Sequence, residues 1–494
     1  MREVTENFVV AARDRDWCAA VDDDGQWSAR QLLDEAMRLA ASLAAVAPAR
    51  PTLLVQAENS RRLVVAGLAV GLVDGTLALA SEHAGREDVA AILAATRPNA
   101  ILGDPQRLDG WQLGAATPRE VGFGWQLRPV DGLEDPERWG GGVLIGMTSG
   151  STGRSKGVVH RESALRYAAE QEIAASGLVE GDPIGIIVPV SAAPAYAFGI
   201  YTALLLRSAA LLSARWSPTA ALDRLAAHHA RWLMCVPTQV VQLSAAAVAR
   251  RGVLSGMRSI TVGGGPMEYH GLLDAEQRLG VTLLRVFGMS ECLGHTTPRL
   301  DDPPEIRLER DGRPFPGTDV RIIGDDGTDV GVEVVGRAQV KGPSLFLGYA
   351  EDGRLQPPSL TPDGYLETGD LMLRHEDGTL KVSGRIKDVI IRGGRNISIA
   401  EVERAVLADG RIESACAVPV PDPVLGERVA VLAVTTEPGL ALDSVLATLE
   451  RNGVAKVNWP EFLIAVDALP MTHVGKVSRL LAREIAIKTL EGTE

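Results

Sequence analysis

The chain has 494 residues, more than one compact core usually encloses, so two or more domains are expected. Hydrophobic residues at 46% and charged ones at 23% exclude a largely disordered chain, and the composition is that of a globular protein. Its 63 acidic and 50 basic residues give a formal charge of −13, which excludes a nucleic-acid partner unless a local basic patch overrides the repulsion.

In chain order, Met1-Arg2-Glu3-Val4-Thr5-Glu6 places acids where a signal peptide carries its basic region, so secretion is not expected. The richest apolar stretches, 63–80 and 195–214, are interrupted by Asp74, Gly75, Arg207 and Ser208. They predict buried helix and strand rather than bilayer spans. Cys18, Cys235, Cys292 and Cys416 form no C-x-x-C pair, as expected of reduced thiols, and predict neither a disulfide nor a zinc site. A cytoplasmic monomer or homodimer with no membrane partner is the expectation.

From about residue 26 to 300, Ala/Leu/Arg-rich segments alternate with short β-branched runs, which predicts parallel α/β layering. Strands are expected over 184–188, 232–236, 259–262 and 282–287, with a helix within 267–279. After 310, short β-like runs punctuated by Asp-Gly and Gly-Tyr predict an antiparallel part up to 384. Beyond it a compact α+β pattern is expected, with helices near 400–407, 442–451 and 477–487 around strands 414–418 and 429–434. The predicted class is α/β: a large N-terminal domain, 1–384, with a β-rich part from about 310, then a domain boundary at 385–388 and a small α+β domain, 389–494.

The most informative stretch, Thr148-Ser149-Gly150-Ser151-Thr152-Gly153-Arg154-Ser155-Lys156-Gly157, follows the apolar run Val143-Leu144-Ile145. Glycines let successive N–H groups turn inward, hydroxyls add donors, and a lysine adds charge, which is what a polyphosphate needs. The spacing is neither the G-x-x-x-x-G-K-[ST] loop nor G-x-G-x-x-G. On composition alone a flexible Ser/Gly loop fits equally well. Further motifs follow: Gly263-Gly264-Gly265-Pro266 and Phe287-Gly288-Met289-Ser290-Glu291, each after a predicted strand, then Tyr365-Leu366-Glu367-Thr368-Gly369-Asp370. Gly384-Arg385-Ile386-Lys387-Asp388, Arg392-Gly393-Gly394-Arg395-Asn396-Ile397 and the terminal Leu469-Pro470-Met471-Thr472-His473-Val474-Gly475-Lys476-Val477 complete the series. Taken singly these would be ordinary turns, linkers and surface charges.

In this order they resemble the motifs of the adenylate-forming superfamily of acyl-CoA synthetases, peptide-synthetase adenylation domains and luciferases, with acyl-CoA synthetases nearest in pattern. The resemblance covers about two thirds of the chain, from the phosphate loop to residue 479. It implies that Thr148, Ser149, Gly150, Ser151, Thr152, Gly153 and Lys156 cradle the phosphates of ATP, that Gly264, Gly265 and Pro266 approach adenine, and that Phe287, Gly288, Met289 and Ser290 continue the nucleotide site. Asp370 would accept the ribose hydroxyls, with Arg385 beside it. Glu291 would hold Mg²⁺ and act in catalysis with Lys476. The resemblance also makes 385–388 a hinge, with Lys387 the pivot about which a mobile C-terminal domain rotates between half-reactions, and Gly393 and Gly394 would line a coenzyme A channel. Phe287 stands where the family has Tyr and Ser290 where it has Thr, which preserves ring and hydroxyl; Ile399 replaces a usual proline.

The resemblance places the acid pocket at Tyr196, Phe198 and Gly263. Tyr196 stands where many acyl- and aryl-CoA ligases carry histidine, and no aspartate occurs between Pro189 and Ala221, which disfavours an α-amino acid. Alanines beside two aromatics suggest a roomy apolar pocket for a bulky aliphatic, alicyclic or aromatic acid. The expected reaction joins the acid to ATP as acyl-AMP, releases pyrophosphate, and then forms a thioester with coenzyme A. No carrier-protein serine motif of the G-G-x-S type occurs in the chain, so the first alternative is loading of a separate carrier protein. The other is an inactive nucleotide-binding homologue.

Overall fold

The computed structural model describes residues 1–111, 117–149, 155–250, 252–265, 269–324, 326–393, 395–472 and 477–491. The chain divides into two units, Met1–Asp319 with Val340–Leu366, and Val320–Gln339 with Glu367–Glu494. The expected boundary at 384–388 thus falls inside the second unit.

Among the described residues the first unit holds two nine-stranded sheets. One runs Arg313–Pro314, Cys292–Thr297, Thr282–Met289, Ser259–Gly263, Trp232–Cys235, Ile184–Ile186, Ala210–Leu212, Cys18–Asp22, Gly25–Ser28. Its interior pairs are parallel and its outer pairs antiparallel. The other runs Arg354–Gln356, Gly348–Glu351, Ser155–Arg161, Gly142–Ser149, Thr76–Ser81, Thr52–Ala57, Ala100–Gly103, Gln126–Pro129, Arg119–Glu120. Its parallel centre, Thr52–Ala57 and Thr76–Ser81, is buried at every position, as near-continuous apolar strands covered on both faces must be.

The apolar stretch 63–80 is the buried helix Arg61–Leu72 and the strand Thr76–Ser81, reversed at Asp74, whose φ is +54°. The stretch 195–214 becomes a π-helical turn, Tyr196–Tyr201, a short helix, Thr202–Leu205, and the strand Ala210–Leu212. The four expected strands all form, and Thr282–Met289 extends two residues beyond the expected 287. Among the described residues, no helix is long and apolar enough to cross a membrane.

The second unit carries the four-stranded sheet Asp319–Ile323, Gly336–Lys341, Leu366–Arg374, Leu380–Arg385, of which Asp319, Val340, Lys341 and Leu366 are grouped with the first unit. It also carries a five-stranded sheet, Arg395–Ser398, Val389–Arg392, Gly426–Thr435 and Ile412–Asp422, with Phe462–Ala465 added parallel to Gly426–Thr435. Helices Ile399–Leu407 and Leu442–Arg451 bury Val402, Val406, Val445 and Leu449 in one core; Arg479–Glu491 buries Ala482 and Ala486 in another.

Candidate active site

In the first unit, strand Gly142–Ser149 turns back into Ser155–Arg161, with Thr148 opposite Lys156. Residues 150–154 therefore connect two paired strand ends; Gly150, Ser151, Thr152 and Gly153 themselves lie outside the described residues. The Thr148 hydroxyl donates to the Lys156 carbonyl at 3.4 Å. Lys156 is exposed, and its ammonium lies 5.0 Å from the centroid of the Tyr349 ring. Tyr349 belongs to the adjacent strand Gly348–Glu351, where Ala350 pairs with Gly157. A Cβ on Gly157 would stand 2.9 Å from the Ala350 Cβ and from Ile145, so glycine here permits the close approach.

A second hairpin brings up the carboxylate. Thr282–Met289 pairs antiparallel with Cys292–Thr297, with Met289 opposite Cys292, which leaves Ser290 and Glu291 as the turn. Three hydrogen bonds hold that turn: His160 Nε2 donates to the Ser290 carbonyl at 2.7 Å, the Phe346 N–H to the Glu291 carbonyl at 2.9 Å, and the Tyr349 hydroxyl to Glu291 Oε1 at 2.8 Å. Gly288 and Gly294 touch backbone to backbone: a Cβ on Gly288 would lie 2.6 Å from the Gly294 nitrogen. Gly294 has φ +42° and carries the buried ring of Phe198 against it, and Phe287 stands edge-on to His295 at 4.9 Å. Lys156, Glu291, Phe287 and Phe198 are thus gathered around these two hairpins.

Tyr349 and His160 were missed by sequence reasoning. Gly348-Tyr349 reads as a turn signal, yet it begins a strand, and its tyrosine joins Lys156 to Glu291; His160, between Val159 and Arg161, carries no signal. Burial, with the neighbouring Glu291 charge adding to it, raises the Tyr349 phenol, which therefore stays a donor.

His160 and His295 are fully buried, and desolvation pushes each from 6.5 down to about 4. Between those pH values the unfolded chain binds protons that the folded one does not. Stability is therefore complete above pH 6.5 and falls as pH drops toward 4, by about 3 kcal/mol per histidine. The melting temperature should decline steadily from neutral to acid pH. His160→Gln, which keeps a donor for Ser290, should flatten that decline; an unaltered slope would contradict the assignment.

Glu291 is half-buried, and Tyr349 occupies only its Oε1. One carboxylate oxygen beside a cationic strand end suits a hard cation that takes its other ligands from substrate phosphates and water. Among the described residues no cluster of three His, Cys, Asp or Glu could cage a metal unaided.

In the second unit Asp370 is 2% exposed. Its Oδ1 accepts from Arg385 Nε at 3.0 Å, and its backbone N–H donates to Thr368 Oγ1, which itself donates to the Ala338 carbonyl. Gly369, within strand Leu366–Arg374, has φ +77°, and its carbonyl accepts from the Ile386 N–H. Among the described residues Asp370 Oδ2 is buried with no hydrogen-bond partner, an acceptor that is costly to leave empty and suited to a ligand hydroxyl. Burial raises the Asp370 carboxyl, and Arg385 opposes the shift.

Lys387 is exposed in the turn between Leu380–Arg385 and Val389–Arg392. Gly393, at φ +56°, donates its N–H to the Leu425 carbonyl. Gly264, at φ +82°, is exposed just after strand Ser259–Gly263, and a Cβ on Gly263 would meet Val286 at 2.5 Å. Tyr196 is fully buried in the core with Met1, and its hydroxyl donates to the Met1 sulfur at 3.1 Å. Pro266, Gly394 and Lys476 lie outside the described residues.

A family model described as AMP-binding enzyme matches residues 8–350, and one described as AMP-binding enzyme C-terminal domain matches 401–476. The chain is 30% identical over 345 residues to a medium-chain fatty-acid–CoA ligase of Escherichia coli, covering 69% of this chain and 61% of the relative. It is 30% identical over 392 residues to a salicyl-AMP ligase / salicyl-S-ArCP synthetase of Mycobacterium tuberculosis, covering 79% and 67%. The matches therefore span about two thirds or less of those relatives' own length. Among solved structures, ATP-bound MatB from Rhodopseudomonas palustris superposes with a TM-score of 0.83 at 23% identity over 98% of both chains, a likeness of fold.

Proposed function

Because the chain belongs to the AMP-binding enzyme family of adenylate-forming ligases, which use ATP with magnesium, we propose that it activates a bulky apolar carboxylic acid as its acyl-adenylate and passes the acyl group to coenzyme A. The observation that supports the reading is the joining of Lys156 and Glu291 through one tyrosine, a cation and a carboxylate held at neighbouring strand ends.

A carboxylate attacking the α-phosphate of ATP must approach another anion, so the barrier is electrostatic. In this reading Lys156 and the backbone of the 148–157 loop bind the leaving phosphates, and Lys476 brings positive charge to the attacking carboxylate and the α-phosphate. Magnesium, when bound at Glu291, supplies charge neutralisation on the phosphates. Asp370 Oδ2 accepts a ribose hydroxyl and fixes the nucleotide. Phe198 and Gly263 bound the acid in this reading, whereas Tyr196, whose hydroxyl is engaged with Met1 in the core, is not assigned to it.

Asp370→Asn keeps the side-chain size but removes the charged acceptor, and AMP affinity should fall about tenfold. In the wild type that affinity should weaken as pH falls through the raised Asp370 pKa, because the protonated carboxyl accepts poorly; titration calorimetry across pH reads both. A pH-independent affinity would contradict the ribose assignment. Lys387→Pro should preserve pyrophosphate exchange yet slow thioester formation, since this reading separates the half-reactions by rotation at that residue. Equal loss of both would exclude the pivot.

A second reading, loading of a separate carrier protein, is favoured by the carrier-directed name of the M. tuberculosis relative. ATP–pyrophosphate exchange over a panel of acids tests the activity and the acid class. Acyl-adenylate offered with coenzyme A or with a phosphopantetheinylated carrier then separates the acceptors.

A further inference from the structure

We infer that Tyr349 is a positioning residue for the metal and polyphosphate: its hydroxyl sets the Glu291 carboxylate and its ring carries the Lys156 ammonium. The inference rests on the proposed function and goes beyond it, because neither motif contains this tyrosine.

Glu291 projects from a two-residue turn and would otherwise sample several rotamers; ordering it at the moment of metal binding would weaken that binding. The Tyr349 hydroxyl, donating to Oε1 at 2.8 Å, removes this freedom in advance and leaves Oε2 for the cation. The ring in turn is fixed by edge-on packing against Phe346 at 4.9 Å, and Phe346 itself holds the Glu291 carbonyl through its N–H. The same ring lies under the Lys156 ammonium at 5.0 Å, a distance at which its electron-rich face attracts a cation. One side chain on strand Gly348–Glu351 therefore addresses both charges of the site, through its edge for the anion and its face for the cation. His160 and Phe346 hold the backbone of the turn, so loss of the tyrosine hydroxyl should free the carboxylate without unfolding the hairpin.

The test uses the full chain and three probes: AMP without metal, an α,β-methylene analogue of ATP without metal, and Mn²⁺ titrated into the analogue complex and read by electron paramagnetic resonance. In Tyr349→Phe, which keeps the ring, AMP and metal-free analogue should bind as in the wild type. Mn²⁺ should then bind the complex about tenfold more weakly, the effect of one hydrogen bond to a charged group. In Tyr349→Leu, metal-free analogue binding should also weaken, by about threefold, while AMP binding stays intact and reports a folded site. Mn²⁺ affinity that is unchanged or tighter in Tyr349→Phe overturns the inference and leaves the proposed function standing. Failure of the wild type to bind AMP overturns both.

Discussion

Lys476→Ala is expected to slow acyl-adenylate formation by about a hundredfold to a thousandfold, the usual effect of removing one preorganised charge from a transition state. AMP affinity should change little, because the lysine is assigned to the meeting point of carboxylate and α-phosphate and not to base or ribose. Thioester formation from preformed acyl-adenylate should also survive, since in this reading the lysine has left the site by then. Single-turnover quench experiments, started either from acid plus ATP or from the adenylate, separate the two steps. A variant that makes adenylate at the normal rate would remove Lys476 from the mechanism.

Glu291→Gln should lower pyrophosphate exchange by about a hundredfold. The neutral amide can still meet the Tyr349 hydroxyl, so the turn held by His160 and Phe346 should persist. What disappears is the negative charge that a hard cation requires. Raising magnesium should restore part of the activity, whereas AMP binding, which needs no metal, should equal the wild type. A variant whose AMP affinity falls as far as its exchange rate would show that Glu291 supports the fold and not the metal.

Much of this arrangement could be read from the residues, for identifiable reasons. The strands 184–188, 232–236 and 259–262 announce themselves because parallel strands buried on both faces are rich in apolar and β-branched residues, and 282–287, though only partly buried, keeps the same pattern. The motifs at 148–157 and 287–291 could be singled out because each follows an apolar or β-branched run and their residue order resembles that of a known family. Tyr349 could not: a strand partner is chosen by non-local pairing, and only the register of Ala350 against Gly157 shows that the ring of residue 349 reaches Lys156. His160 was hidden for the same reason, since its partner Ser290 lies 130 residues away. Tyr196, read as a pocket residue from its place in the segment, turns its hydroxyl to Met1, a contact no local pattern could reveal. That Oδ2 of Asp370 has no partner among the described residues is likewise a property of burial, visible only once Thr368 and Arg385 have taken its N–H and its Oδ1.

The most direct test of acid activation is isotopic. With an acid labelled with ¹⁸O in its carboxylate, turnover in the presence of ATP, magnesium and acceptor should deliver one labelled oxygen to AMP, because the carboxylate oxygen that attacks the α-phosphate stays there when the thiol takes the acyl group. AMP without label, or label found in inorganic phosphate, would contradict an acyl-adenylate path and with it the account of this site.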